Sequence, residues 1–459
     1  MSGGHLQRFI ADARARVADG FYHTDGPALL SNGNLKAAIQ AAPDGRAILA
    51  ELKPRSPSEG RLLQGPAEPI LAAYKDGGAT GLSLLTDGDH FDGSPALLRA
   101  GHATGLPTLM KDFVVDEVQL DCAAHHGASA VLLIERCFPT PDERESLVEA
   151  AHARGLEVLL EVHSPKEWER AASSAADIIG VNSRDLDTLD VDVAGAREVV
   201  KAAAQAGHTT LALSGVRTRH DAAAAKNDGA AGVLVGTSLL RSPDAALAVR
   251  ALRRPLVKLC GLRTEADVAV AATAGADFAG LVVGAARSPR NLRPIDAQRL
   301  ADVARAAGLR TVLVTPHTDA WEVREWCRLV RPDFVQLHGL ETTEEWEHSL
   351  KVIPTRIWHA VAPDTEAPMG GIALVIDTPK ADGSTGGSGR THDWAQTARL
   401  VKNERRWTFV AGGLGPENVQ AALVATGATG ADVSGGIESP DGTKDPEKMR
   451  RFVEAARHG

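Results

Sequence analysis

Short apolar runs alternate along the whole chain with Ala-rich, charged stretches of helical length. In the first half the runs are AILAEL, GLSLLT, PTLMKD, AVLLIE, LEVLLEV, DIIGVN, TTLALS and GVLVGT. In the second they are LVKLCG, DFAGLVVG, RTVLVT, DFVQLHG, TRIWHAV, ALVIDT, WTFVAGG and GADVSGG. Several are apolar at both odd and even positions, as parallel strands covered on both faces must be. About eight strand–helix units per half predict an α/β chain built of two consecutive (β/α)8 TIM barrels, each in the range of about 200–250 residues.

A weak repeat supports one supersecondary unit used many times. GATGLSLL, GASAVLLI, GADFAGLVV, GAAGVLVG and GATGADVSG all place Gly-Ala before a strand, and glycine just past a helix end is the usual left-handed terminator. The closing helix pattern PDAALAVRALRR followed by the strand PLVKLCG puts the boundary at Arg254–Pro255, giving domains of 1–254 and 255–459. The first forty or so residues read as an extra N-terminal helical segment. No G-x-G-x-x-G follows an early strand, which argues against a Rossmann layout.

Of 459 residues, 44% are hydrophobic but only 4% aromatic, so the core is expected to rest mainly on Ala, Leu, Val and Ile. The net charge of −9 argues against nucleic acid or an anionic membrane as partner, and no apolar run is long enough for a membrane span. Cys122, Cys137, Cys260 and Cys327 form no C-x-x-C pair, so no metal or dithiol site is assigned. Reduced thiols and a start, MSGGHLQRF, without a signal-peptide core lead to the expectation of a cytoplasmic protein. A monomer is expected.

Active sites of this fold lie at the C-terminal ends of the strands. Glu51 and Lys53 end the first run, Lys111 the third, Glu161 comes late in the fifth, Asn182 ends the sixth and Ser214 the seventh. Any one of these is more often a polar strand-to-loop transition; six on five strands are hard to explain that way. SGV at Ser214–Val216 and GTSLL at Gly236–Leu240 could bring backbone N–H groups to an anion after strands seven and eight, or could simply be tight turns.

ELKPRSPSEG, GATGLSLLTDGDHFDGS, LMKDF, EVH and GVNSRDLDTLDVD, in that order, closely resemble indole-3-glycerol-phosphate synthase over about residues 5–250. That family closes the indole ring of a carboxyphenylamino-deoxyribulose phosphate, losing carbon dioxide and water, without cofactor or metal. The resemblance implies that Lys111 is the general acid, that Lys53 pairs with the substrate carboxylate, and that Glu51 and Glu161 are acid–base partners of later steps. It makes Ser56, Asn182 and Arg184 substrate-positioning residues, and Ser214, Gly215, Gly236 and Thr237 the phosphate site. The segment Pro54–Gly60 becomes a loop that can lie over the ligand, with Ser56 and Ser58 as donors. One departure stands out: where the family has a glutamate before Ser-Gly at strand seven, this chain has Leu213.

In the second half KLCGLRTEADV, SPRNL, VQLHG, IDTPKADGSTGGSGRTHDW, AGGLGPENV and DVSGGIESPDGTKD resemble phosphoribosylanthranilate isomerase over about residues 256–457. The Gly-Gly-Ser-Gly loop and SGGIE depart slightly from the family pattern. A lone strand-end cysteine is usually core and a lone aspartate usually a cap, but the resemblance implies that Cys260 is the general base and Asp377 the general acid of an Amadori rearrangement. It assigns Arg290 to the anthranilate carboxylate, and Gly412, Gly413, Ser434 and Gly435 to the phosphate. Gln336 and His338 are read either as pocket lining or as inward core.

The product of the second half's reaction is the substrate of the first's. The expectation is a bifunctional enzyme of tryptophan biosynthesis acting on small anionic phosphosugar–anthranilate substrates, with no cofactor. The alternatives are an isomerase whose first barrel is a non-catalytic or impaired binding domain because of Leu213, and another phosphosugar isomerase of the barrel class. The latter would be expected to carry paired aspartates where this chain has Lys53/Glu161 and Cys260/Trp358.

Overall fold

The computed structural model describes residues 4–57, 59–316, 319–340, 342–378 and 390–459. They pack as two compact units, one ending at Arg253 and the other beginning at Arg254. Among the described residues no helix is long and apolar enough to cross a membrane.

The first unit contains β1 (Ala47–Leu52), β2 (Gly81–Leu85), β3 (Thr108–Lys111), β4 (Ala130–Ile134), β5 (Glu157–Val162), β6 (Ile178–Asn182), β7 (Thr210–Leu213) and β8 (Gly232–Val235). Each strand runs parallel to its sequence neighbours, and β1 pairs with both β2 and β8 to close the barrel. Leu49, Leu109, Leu132, Leu159, Ile178, Leu211, Leu213 and Leu234 form one buried cluster. Side chains alternate along a strand, so stepping two residues from Leu49, Leu109 and Leu159 brings Glu51, Lys111 and Glu161 to the same face at the C-terminal rim. The glycines of all five Gly-Ala junctions have positive φ, from 68° at Gly427 to 101° at Gly229. The helix-ending reading of that repeat is therefore correct.

The N-terminal segment is two helices, set at opposite ends of the barrel. In α1 (His5–Ala18), Leu6, Phe9, Ile10 and Ala13 recur at helical spacing and are buried; the Leu6 N–H donates to Asp187. In α2 (Leu35–Gln40), the N–H groups of Leu35 and Lys36 donate to Glu157, the first residue of β5, so α2 sits at the N-terminal end of the strands. At the other end, Arg16 of α1 lies 2.9 Å from Asp87 and 3.3 Å from Asp112, residues that follow β2 and β3. The Tyr22 hydroxyl donates to Asp112 (2.9 Å) and accepts from Arg16 (3.2 Å). Burial opposes the charge of Arg16, but Tyr22, Asp112 and Asp87 together hold the guanidinium in its charged form.

This clamp leads to a stability prediction. Arg16→Leu leaves the buried carboxylates of Asp87 and Asp112 without their cation, a change that typically costs about 3–5 kcal/mol. The expected result is a correspondingly lower urea midpoint for the first unit, followed through loss of its catalytic activity; an unshifted midpoint would mean the clamp carries no load.

The second unit repeats the design with β9 (Leu256–Cys260), β10 (Phe278–Val283), β11 (Arg310–Thr315), β12 (Phe334–Leu337), β13 (Arg356–Val361), β14 (Ala373–Ile376), β15 (Trp407–Val410) and β16 (Gly430–Val433). Again all pairings are parallel, and β9 pairs with both β10 and β16. A two-residue strand, Asn291–Leu292, adds beside β10. Aliphatic residues fill the layer between sheet and helices. The barrel interior departs from the expected aliphatic core: fully buried Phe278, Phe334, Trp358 and Phe409 pack ring against ring, with Trp358 stacked on Phe409 at 4.6 Å. Four of the chain's 18 aromatic residues meet here, where one large ring fills more of the barrel than a branched aliphatic chain can.

Candidate active sites

At the rim of the first barrel two ammonium and two carboxylate groups interlock. Lys111 Nζ lies 3.2 Å from Glu161 Oε2, and Lys53 Nζ lies 3.2 Å from Glu51 Oε1. Asn182 Nδ2 donates to the other oxygen of Glu161 at 2.9 Å. Burial works against the charge of Lys111, but Glu161 and Glu51 outweigh it and hold the ammonium above the usual lysine range. The group therefore carries a proton at neutral pH beside two carboxylates. Gly236, just past β8, leaves the space this needs: a Cβ there would stand 2.5 Å from Glu51 Oε1.

Ser214 and Gly215 follow β7 with φ of 62° and 72°. A serine in the left-handed region costs on the order of 1–3 kcal/mol and persists where the surroundings enforce it. Here the Ser183 hydroxyl donates to Leu213 O, and a Cβ on Gly215 would stand 3.0 Å from that hydroxyl oxygen. Thr237 opens a short helix, Thr237–Leu240. Leu213 is buried among the inward leucines, filling the space left by Gly180, where a Cβ would meet it at 2.5 Å.

Arg184 and the segment after β1 have local partners of their own. The Arg184 guanidinium donates to Leu189 O within its own loop, and the Arg184 backbone N–H donates to Asn182 Oδ1. The segment after β1 is a miniature hairpin as well as a loop: Arg55–Ser56 pairs antiparallel with Gly60–Arg61, leaving Ser56 buried. Ser58 lies outside the described residues. A cavity of about 680 Å³ opens at this end between α1 and the hairpin, walled by residues including Phe9, Arg16, Arg55, Pro57, His90 and Leu189. Glu51, Lys53, Lys111 and Glu161 do not line it.

In the second barrel Cys260 ends β9 with its thiol buried, and Asp377 directly follows β14, so both stand at the C-terminal rim. Gly280 gives the sulfur room: a Cβ there would stand 2.8 Å from Sγ. Arg290 makes a two-pronged pair with Glu438, 2.7 Å on each prong, so its guanidinium is already held by a carboxylate of the protein. The Gln336 amide nitrogen donates to His338 Nε2 at 2.7 Å, and both are inward and buried. The Ser434 hydroxyl donates to Cys260 O. Gly435 is open toward Arg290, with a Cβ meeting its Nη2 only at 3.5 Å. Gly412 and Gly413 both have positive φ, and a Cβ on either would clash with the chain at Thr378 or at Arg390–Thr391. The Gly-Gly-Ser-Gly loop, residues 386–389, lies outside the described residues.

The sequence reading missed a charged set around Cys260. Lys258, fully buried, pairs with Asp432 at 2.9 Å. Lys444 Nζ donates to Glu438 Oε1 and to Ser434 O. The signal existed: Lys258 and Asp432 each break an apolar strand two residues before a singled-out position. On adjacent strands, that spacing puts opposite charges on one inward face.

Residues 10–252 match the family model described as indole-3-glycerol phosphate synthase, and residues 257–455 match that of N-(5'-phosphoribosyl)anthranilate isomerase. The tryptophan biosynthesis protein TrpCF of Yersinia pestis is 33% identical, covering 90% of this chain and 85% of its own. The chain belongs to the TrpCF family. The TrpCF protein of Corynebacterium glutamicum is 32% identical over 96% of this chain and 91% of its own. The solved TrpF of Jonesia denitrificans is 32% identical, covers 44% of this chain and 97% of its own, and has a TM-score of 0.39. As a TrpCF enzyme the chain is bifunctional in tryptophan biosynthesis, synthase in the first unit and isomerase in the second.

Proposed function

We propose that the charged ring of the first unit carries out indole ring closure, with Lys111 as the proton donor. Attack of an aromatic ring carbon on a ketone develops negative charge at the carbonyl oxygen, and a positioned acid relieves it. Lys53 engages the substrate carboxylate before it leaves as carbon dioxide; Glu51 and Glu161 exchange protons in the loss of water. Asn182 holds Glu161 in place, Ser56 and Arg184 bound the sugar side, and Ser214, Gly215, Gly236 and Thr237 receive the phosphate. Leu213 extends the apolar layer beneath the ring, and the ring's two carboxylates suffice for the proton transfers. The observation that carries this reading is the convergence of Lys111, Glu161, Glu51 and Lys53 at one rim.

In the second unit Asp377 protonates the ring oxygen of the aminoaldose phosphate and Cys260 removes the C2 proton, giving the aminoketose phosphate. Ser434, Gly435, Gly412 and Gly413 form the phosphate end. Arg290, held by Glu438, presents its remaining N–H groups to the anthranilate carboxylate, and Gln336 and His338 set the floor.

The test is separate assay of the two half-reactions on the purified full chain. Supplied with the aminoketose phosphate alone, it is expected to produce indole fluorescence. Supplied with the aminoaldose phosphate, it is expected to consume anthranilate fluorescence first and develop the indole signal afterwards. A folded sample silent in the first assay would leave the first unit as a binding domain.

A further inference from the structure

We infer that Lys258 is a positioning residue of the isomerase unit, an ammonium fixed beneath Cys260 that stabilises its thiolate while Asp432 keeps that ammonium charged. The inference rests on the reading of Cys260 as the base.

Lys258 and Cys260 are two residues apart on β9, so both face the barrel interior. Asp432 is the register partner of Lys258 on β16. The Lys258 side chain is fully buried; its ammonium contacts Asp432 at 2.9 Å, and the Cys260 thiol lies on the same inward face of β9. A buried ion pair is often no more stabilising than an apolar pair of similar volume, and Phe278, Phe334, Trp358 and Phe409 fill the same interior with apolar rings. Packing alone therefore gives no reason for charge at these two positions.

The charged groups facing Cys260 come from four places. Lys258 is on its own strand and Asp432 on β16; Lys444, paired with Glu438, follows β16, and Arg290 follows β10. Arg290 puts two prongs on Glu438, and Lys444 bonds Glu438 and Ser434 O. Lys258 is the cation that shares the inward face of β9 with the sulfur, two residues away. Burial pushes the thiol up, with Lys258 the foremost group pulling it down. In the proton transfer the thiolate takes the C2 proton and becomes a thiol, while Lys258 keeps its own proton throughout.

The experiment compares the full chain with Lys258→Met and with Lys258→Met/Asp432→Asn, the second variant removing the carboxylate that the first leaves unpaired. Near-ultraviolet dichroism of the buried aromatic cluster checks that the second unit is folded. Alkylation of Cys260 by iodoacetamide is followed across pH on its own peptide, alongside the pH profile of isomerase kcat/KM. The alkylation midpoint is expected to rise by about one pH unit or more, slowing modification about tenfold at neutral pH. The acidic limb of the rate profile moves with it, and KM changes little. Unchanged alkylation in the folded double variant overturns the inference. A shifted alkylation midpoint with an unmoved rate profile upholds the Lys258–thiol coupling and instead removes Cys260 from the role of base.

Discussion

Lys111→Met is expected to lower indole formation by about 10²–10⁴-fold, the usual contribution of a positioned general acid, while isomerisation by the same molecule continues at its normal rate. Methionine keeps the length of the side chain but has no proton to give. The effect should fall on kcat, because the acid acts on charge that develops in the transition state. Structural damage should be limited: Glu161 keeps its hydrogen bond from Asn182, and the Glu51–Lys53 pair is untouched. Lys111→Arg should rescue little, since a guanidinium retains the charge but does not release its proton near neutral pH. Steady-state kinetics of both half-reactions, with isomerase activity as the internal control, decide the matter. A joint loss of both activities without unfolding would contradict two separate sites.

Cys260→Ser is expected to reduce isomerase kcat by a similar factor, about 10²–10⁴-fold, with a much smaller change in KM. The substitution is nearly isosteric, and the gap left by Gly280 accommodates oxygen as well as sulfur. What changes is acidity: a serine hydroxyl does not ionise in the range where a thiol near Lys258 can. Indole formation from the aminoketose phosphate should be unaffected. An undiminished isomerisation rate would take Cys260 out of the mechanism and leave Asp377 to be paired with another base.

Much of this was legible along the chain because the relevant information is local. A strand's period of two and a helix terminator's need for positive φ act over a few residues. All sixteen runs therefore fall on barrel strands, and Gly78, Gly127, Gly229, Gly275 and Gly427 take the expected conformation. The same parity rule brought Glu51, Lys111 and Glu161 to one rim from their distance to the last inward leucine. Family resemblance added chemical roles that spacing alone leaves open.

Tertiary structure decided which charges meet. Arg16 reaches Asp112 across 96 residues, Arg290 reaches Glu438 across 148, and Lys258 reaches Asp432 across 174. Each pairing is set by barrel closure or by the path of α1 over the rim. The aromatic interior of the second barrel was hidden for the same reason. By itself the sequence determined the strands, their inward faces and the reactive groups at their ends, since these follow from near-neighbour geometry. The electrostatic surroundings of those groups were decided only in three dimensions, because Coulomb interaction and burial depend on distance through space, and that distance is set when the first strand of each barrel meets the last.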